Sequence, residues 1–281
     1  MRAEIPLLTK NFPDSAQLKA DIEKHGYVIY KDAVSLDCIA EMRRFWVDEY
    51  KWGNVVSKGV RGDLHLGEPN FLTHTDSDYW CLYRHFDFLW NSPHHELTRR
   101  VGVEIHKMRN LSQGFAVDYG LNYSPDKYSM YMSTSWYEAN KGHMEGHIDG
   151  HKSTPILQYM LPITHKGIDF DGGGLWLKIG DGPKIDVDAL MPPGSVVFFD
   201  ARNMHGVDKI TCSSPSMVGR VATFAIPTFF RGTDEFPQAL RQIEATYFWF
   251  ARKVDQIRNL LSGQKSPQKN QASDEAYPKQ K

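Results

Sequence analysis

The chain has 281 residues, of which 41% are hydrophobic, and 33 Lys and Arg against 34 Asp and Glu leave a formal net charge of −1. This length is enough for one large domain with a sizeable core. The charge balance gives no chain-wide basic field for nucleic acid or an anionic membrane, so we expect a small-molecule partner.

The cysteines and the apolar pattern predict a location. Cys38, Cys81 and Cys212 are widely spaced and odd in number, which indicates neither a disulfide framework nor a CxxC zinc site and favours a reducing cytoplasm. The first residues lack the apolar stretch of a signal peptide, and no run of about 18 apolar residues occurs. We therefore expect a cytoplasmic protein without a membrane span.

The chain opens with a pattern of helix, strand and helix. Residues 14–25 predict an N-capped helix, residues 26–34 a short strand, and residues 35–52 a second helix that begins at a Ser cap. Residues 52–95 mix Gly, His, Asp, Arg and aromatic residues without a clean period. They predict a loop-rich insertion, whose aromatic residues belong either to the core or to a substrate pocket.

The second half of the chain has a strand-like pattern. A helix is predicted at about 95–110, and β-rich runs separated by turn residues follow at 128–139, 154–164, 173–180, 183–189, 194–201 and 219–230. Such runs predict an antiparallel sandwich or barrel. Residues 234–261 predict a closing helix, and the polar residues 265–281 predict a disordered tail. Residues 1–264 are thus expected to form a single domain.

The segment "GHMEGHIDGHKSTP", residues 142–155, suggests a metal site. His143, His147 and His151 have helical spacing, but a glycine at every fourth position (142, 146 and 150) favours an extended segment. On an extended segment His147 and Asp149 share one face. The third ligand is expected to be His205, in a turn after the β-run 194–201. Two imidazoles and one carboxylate form the facial triad of non-haem Fe(II) oxygenases. His143 and His151 are expected to have a structural role.

Arg220 is the candidate for binding the distal carboxylate of 2-oxoglutarate. It opens the last β-run, 15 residues after His205. A planar guanidinium at a buried strand position can bind a carboxylate through two parallel hydrogen bonds. Two alternatives remain open: Arg220 could pair with an acid on a neighbouring strand, and Lys209, expected in a turn, could take its place.

The chain resembles the Fe(II)/2-oxoglutarate-dependent oxygenase superfamily. The resemblance is carried by His147, Asp149, His205 and Arg220, with "GGGLWL" and "PPGSVVFF" between them. The segment "HGYVIYKDAVSLDCIAEMRRFW" also resembles the opening of its phytanoyl-CoA dioxygenase-like branch, so the resemblance covers residues 15–50 and 128–230. It implies a mainly β fold with flanking helices around a double-stranded β-helix, the jelly roll or cupin-like core. Fe(II) and 2-oxoglutarate would lie at its open mouth, with Tyr137 near 2-oxoglutarate.

The resemblance implies a dioxygenase that uses O2 to hydroxylate, or otherwise oxidise at a C–H bond, a small-molecule metabolite of a biosynthetic pathway. Halogenation is disfavoured, because halogenating relatives leave the position of Asp149 empty for chloride. Arg61, His65, His74, Arg84 and His85 could suit a polar or anionic substrate with a flat apolar part. Oligomeric state is left open.

Two other classes of function remain as alternatives. One is a zinc-dependent hydrolase that uses His143, His147 and His151. The other is a jelly-roll protein that binds a ligand without turnover.

Overall fold

The computed structural model describes residues 6–52, 64–126, 128–149 and 157–229. The predicted closing helix, the predicted tail, Arg61 and His151 lie outside these residues. Within them are the three predicted helices, α1 (Ser15–His25), α2 (Leu36–Trp52) and α3 (Glu96–Ser112). No helix in this part of the chain is both long and apolar enough to cross a bilayer.

The two ends of α1 follow from its sequence. Asp14 is the N-cap, and its side chain accepts a hydrogen bond of 2.8 Å from the backbone N–H of Gln17. Gly26 ends the helix in the left-handed conformation with φ 74°, which a glycine adopts without steric penalty. The chain therefore turns directly from α1 into the first strand.

Eleven strands form the described part of the sheet, and all paired strands run antiparallel. Their order is β1-β9-β6-β11-β4-β3-β5-β10-β7-β8, with β2 paired to β3 beside this path. The strands are β1 (Tyr27–Tyr30), β2 (Phe71–Asp76), β3 (Trp80–Phe88), β4 (Tyr128–Tyr137), β5 (His143–His147), β6 (Leu157–Pro162), β7 (Gly172–Lys178), β8 (Lys184–Asp186), β9 (Val196–Asp200), β10 (Met204–Thr211) and β11 (Arg220–Phe229).

The sheet curls so that strands far apart in this order pack against each other. Val197 and Phe199 of β9 share a buried cluster with Leu175 and Leu177 of β7. We call the enclosed space the lumen. The opposite face of β4, β6, β9 and β11 carries the main core, which the three helices cover. This arrangement confirms the prediction of a mainly β, jelly-roll core with flanking helices.

The interpretation of residues 52–95 as loop-rich was wrong for residues 71–88, which form two strands. β2 and β3 form a hairpin, and β3 pairs with β4 along Tyr83–Phe88 and with β5 at Trp80 and Cys81. The alternation of polar and apolar residues is obscured because Arg84, His85 and Asp87 occupy positions that are wholly or partly buried. β3 thus joins the two halves of the curled sheet.

The turn predicted for His205 and Lys209 was also wrong, because both residues lie on β10. Its pairing register with β5 shifts between His205 and Val207, and its register with β7 shifts between Asp208 and Thr211. Such irregularities interrupt the two-residue alternation that identifies a strand.

Candidate metal centre

His147 and His205 lie directly opposite each other on neighbouring strands. His147 is the last residue of β5, His205 is the second residue of β10, and the two are cross-strand partners. Their ring centroids are 4.4 Å apart. The pairing of the strands therefore brings two imidazoles to one point of the lumen.

Asp149 completes the group from just beyond the end of β5. Its backbone N–H donates to the carbonyl of Ala201, 3.0 Å away, which fixes the segment to the turn before β10. Its carboxylate oxygens lie 3.7 Å from His147 Nε2 and 3.6 Å from His205 Nε2. One ligand atom from each residue lies within 4.8 Å of the others, so the three side chains could hold one metal ion.

Backbone carbonyls orient both imidazole rings. His147 Nδ1 lies 2.9 Å from the carbonyl oxygen of Glu145, and His205 Nδ1 lies 2.9 Å from that of Asn203. A carbonyl accepts only from a protonated nitrogen, so in a neutral ring each Nε2 keeps its lone pair. Hydrogen bonds of this kind, made by the nitrogen that does not bind metal, are typical of histidine ligands.

The charges of the group also suit a divalent cation. Burial lowers the pKa of His147, and the nearby His205 and Arg84 lower it further. Burial acts to raise the pKa of Asp149, but its interactions with His205 and His147 outweigh this and hold the pKa well below its usual range. At neutral pH the group therefore combines an ionised carboxylate with a neutral His147.

Gln158 was not predicted as part of the site. Its side-chain amide on β6 donates to Asp149 Oδ2 over 2.6 Å, which orients the carboxylate toward the two imidazoles. A signal existed in the sequence, because Gln158 is the one amide side chain among the aliphatic and aromatic residues of the strand "LQYMLP".

His143 lies apart from this group. Its Nδ1 is 3.1 Å from the carbonyl oxygen of Lys141, and its Nε2 is 3.1 Å from that of Asp78. Both ring nitrogens face acceptors on the protein, so neither is directed at the triad. This geometry agrees with the predicted structural role.

Arg220 and Tyr137 are cross-strand partners on β11 and β4, and both are buried. The guanidinium carbon lies 5.5 Å from the centre of the Tyr137 ring. Arg220 pairs with Asp188, a residue that the sequence analysis did not single out: Nε donates to Oδ2 over 2.6 Å and Nη2 to Oδ1 over 3.2 Å. The structure thus shows the alternative of an acidic partner, although Asp188 lies in the 3₁₀ turn Asp188–Leu190 and not on a neighbouring strand. Nη1 of the guanidinium is buried and remains without a hydrogen-bond partner.

Lys209, the other candidate cation, is exposed on β10. It lines a surface depression of about 470 Å³ together with His143, Asp76 and Asp78. Arg220 is therefore the better placed of the two cations to reach the lumen.

No protein-family model matches this sequence, and no curated protein is similar enough in sequence to match it. Solved structures share its fold. A prolyl-4-hydroxylase from Pseudomonas putida is 15% identical and superposes with a TM-score of 0.52 over 77% of this chain and 98% of its own. The non-haem alpha-ketoglutarate-dependent epimerase SnoN from nogalamycin biosynthesis is 14% identical, with a TM-score of 0.50 over 79% of this chain and 87% of its own. At these identities the likeness shows a common fold.

Proposed function

We propose that this protein is a non-haem Fe(II)- and 2-oxoglutarate-dependent dioxygenase that oxidises a C–H bond of a small-molecule metabolite. The observation that carries the proposal is the convergence of His147, Asp149 and His205 inside a jelly roll. Two imidazoles and one carboxylate on one face of an octahedron leave three positions for co-substrate and oxygen.

The donor set fits iron better than it fits the three-histidine zinc alternative. That alternative needs His143, whose two ring nitrogens already face backbone carbonyls. It also leaves no role for Asp149, which lies between His147 and His205. A carboxylate in the ligand set also disfavours halogenation, in which chloride needs that position.

The lumen also offers a site for the distal carboxylate of 2-oxoglutarate. Asp188 accepts from the backbone N–H of Leu175, which lies two residues along β7 from Leu177, the cross-strand partner of His205. Two residues of a strand span about 7 Å, so the Arg220–Asp188 pair lies about that far along the lumen from His205. Because Asp188 binds the Nε edge of the guanidinium, we assign the carboxylate to the Nη1 side, with Tyr137 beside it.

Bound together, Fe(II), 2-oxoglutarate and O2 would supply an oxidative decarboxylation that yields succinate, carbon dioxide and an oxidised product. The protein would hold the metal through the triad and orient its carboxylate through Gln158. We further assign the chain to the phytanoyl-CoA dioxygenase-like branch, on the opening pattern of α1, β1 and α2. A role in a biosynthetic pathway is part of this proposal.

Anaerobic titration of 2-oxoglutarate into the Fe(II)-loaded protein tests the proposal. We expect a metal-to-ligand absorption band, and slow conversion of 2-oxoglutarate to succinate once oxygen is admitted. A preference for zinc over iron, together with absence of the absorption band, would support the zinc-dependent hydrolase. An absorption band without formation of succinate would support a jelly-roll protein that binds its ligand without turnover.

A further inference from the structure

Polar atoms without partners are concentrated on the lumen face of three neighbouring strands. In the described part of the chain, eight buried side-chain polar atoms lack a hydrogen-bond partner. Four of them belong to Arg84 on β3, Ser133 and Ser135 on β4, and Arg220 on β11. Buried polar groups are nearly always hydrogen-bonded, so a group of such atoms on one face indicates a ligand.

The pairing registers place these residues side by side. Arg84 lies opposite Ser135 across β3 and β4, and Ser135 lies opposite Ala222 on β11. Side chains alternate along a strand, so Ser133 and Ser135 share the face of Tyr137. Tyr137 packs with Val207 of β10, the cross-strand partner of Leu175 in the lumen. The other face of β4 contributes Met130, Met132 and Trp136 to the helix-covered core.

Arg84 is a cation without a carboxylate partner among the described residues, and its buried Nε is one of the unpartnered atoms. Its guanidinium carbon lies 5.7 Å from the centre of the Phe224 ring. Burial raises the pKa of Tyr137, and the charges of Arg84 and Arg220 together with a hydrogen bond from Arg84 partly oppose this, so Arg84 lies beside that phenol. Arg220, in contrast, forms an ion pair with Asp188.

We propose that Arg84 and Ser135 form a subsite for an oxyanion of the primary substrate, either a carboxylate or a phosphate. Ser135 lies two residues from Tyr137 on β4, about 7 Å along the strand, so this side of the subsite lies apart from the position assigned to 2-oxoglutarate, whereas Arg84 borders it. A guanidinium binds either oxyanion through parallel hydrogen bonds, and a serine hydroxyl can donate to it. Phe224 would contact an apolar part of the substrate next to that group. This inference rests on the proposed function.

Calorimetry on the anaerobic Fe(II)- and 2-oxoglutarate-loaded protein tests the subsite with three probes: phenylacetate, phenyl phosphate and the neutral phenylacetamide. We expect one of the two anions to bind at least tenfold more tightly than phenylacetamide, and the stronger anion identifies the group. Arg84→Gln should weaken that anion about tenfold to a hundredfold, as expected for a charge-assisted hydrogen bond, and Ser135→Ala should weaken it about threefold to tenfold. The matched control is Arg44→Gln, at an exposed position of α2, which should bind the anion as wild type does.

The absorption band of bound 2-oxoglutarate is followed in the same samples. The dissociation constant of 2-oxoglutarate should stay within twofold in Ser135→Ala, and in Arg84→Gln it should rise by a clearly smaller factor than that of the anion. Anions that bind wild type no better than phenylacetamide, or an Arg84→Gln variant that loses 2-oxoglutarate as strongly as the anion, would overturn the subsite. Absence of the band in wild type would instead contradict the proposed function, so the two failures are distinguishable.

Discussion

At the scale of single residues, two backbone carbonyls and one amide determine the geometry of the metal centre. The carbonyls of Glu145 and Asn203 fix the tautomers of His147 and His205, and the amide of Gln158 orients Asp149. Each contact is made by an atom that does not itself bind metal. The site is therefore sensitive to residues outside the triad.

Asp149→Ala should remove stoichiometric iron, because it deletes both a ligand and the only carboxylate of the triad. Gln158→Leu should weaken iron binding by about tenfold to a hundredfold, as expected for loss of a supporting hydrogen bond. His143→Ala is the matched control and should bind iron as wild type does, whereas His147→Ala should not. Iron content after anaerobic reconstitution measures all four variants. Loss of iron in His143→Ala equal to that in His147→Ala would favour zinc chemistry.

Arg220→Lys should weaken 2-oxoglutarate binding by about tenfold to a hundredfold, because lysine keeps the charge but loses the planar edge that we assign to the carboxylate. It should also lower the melting temperature, since the buried pair with Asp188 is disturbed. Arg99→Lys is the control: Arg99 pairs with Asp87 in another buried site, outside the lumen. It should lower the melting temperature alone. Equal 2-oxoglutarate affinity in wild type and Arg220→Lys would leave Arg220 with a structural role.

The sequence contained enough to predict the triad but not the partners of Arg220. His147 and Asp149 are two residues apart, so their common face follows from strand geometry alone. Asp188 is 32 residues from Arg220 and lies in a 3₁₀ turn after β8, so their contact depends on how the sheet curls. No local pattern carries that information.

At the scale of elements, glycines let the two histidine strands approach closely. Gly146 precedes His147 on β5, and Gly206 follows His205 on β10. A Cβ atom at Gly146 would lie 2.8 Å from the Trp176 side chain, and one at Gly206 would lie 2.9 Å from the carbonyl oxygen of Met144. The first contact is with a side chain and the second with backbone.

This difference predicts different outcomes for two alanine substitutions. Gly146→Ala should lower the melting temperature and weaken iron binding, and the additional change Trp176→Phe should largely restore both because it removes the clashing atoms. Gly206→Ala should show the same losses without rescue, because the backbone of β5 cannot retreat without moving His147. Melting temperature and iron affinity of the two single and two double variants provide the comparison. Equal rescue at both positions would contradict this account.

Strand prediction succeeded where a β-rich run is bounded by turn residues and failed where charged side chains or register shifts interrupt the run. β4, β6, β7, β9 and β11 were recognised from β-rich runs bounded by turn residues. β3 was missed because it is covered on both faces and still carries Arg84, His85 and Asp87. β10 was missed because its pairing shifts register within the strand.

At the scale of the whole molecule, two buried histidines make stability depend on pH. His85 and His106 lie in the helix-covered part of the protein, and burial lowers the pKa of each to about 3. Below the unfolded pKa of 6.5 the unfolded chain gains protons that the folded chain does not. Stability is therefore lost as pH falls from 6.5 towards 3.

The loss between pH 6.5 and pH 5 should be on the order of 2 kcal/mol for each histidine. His85→Phe should remove the share of His85, so its free energy of unfolding should fall less between pH 7 and pH 5 than that of wild type. Urea titrations at the two pH values measure the difference. A His25→Phe control, at an exposed position on α1, should behave as wild type does. An unchanged pH dependence in His85→Phe would mean that the folded protein accommodates a charged His85.

The position of β3 also limits how far this chain can be shortened. Its hairpin partner β2 lies beside the main path of the sheet, whereas β3 itself fills the gap between β4 and β5. Deleting the hairpin would leave β4 and β5 each with a row of unpaired backbone N–H and C=O groups, the surface on which another chain adds a strand. A variant trimmed to the jelly-roll strands alone would therefore self-associate through these two open edges.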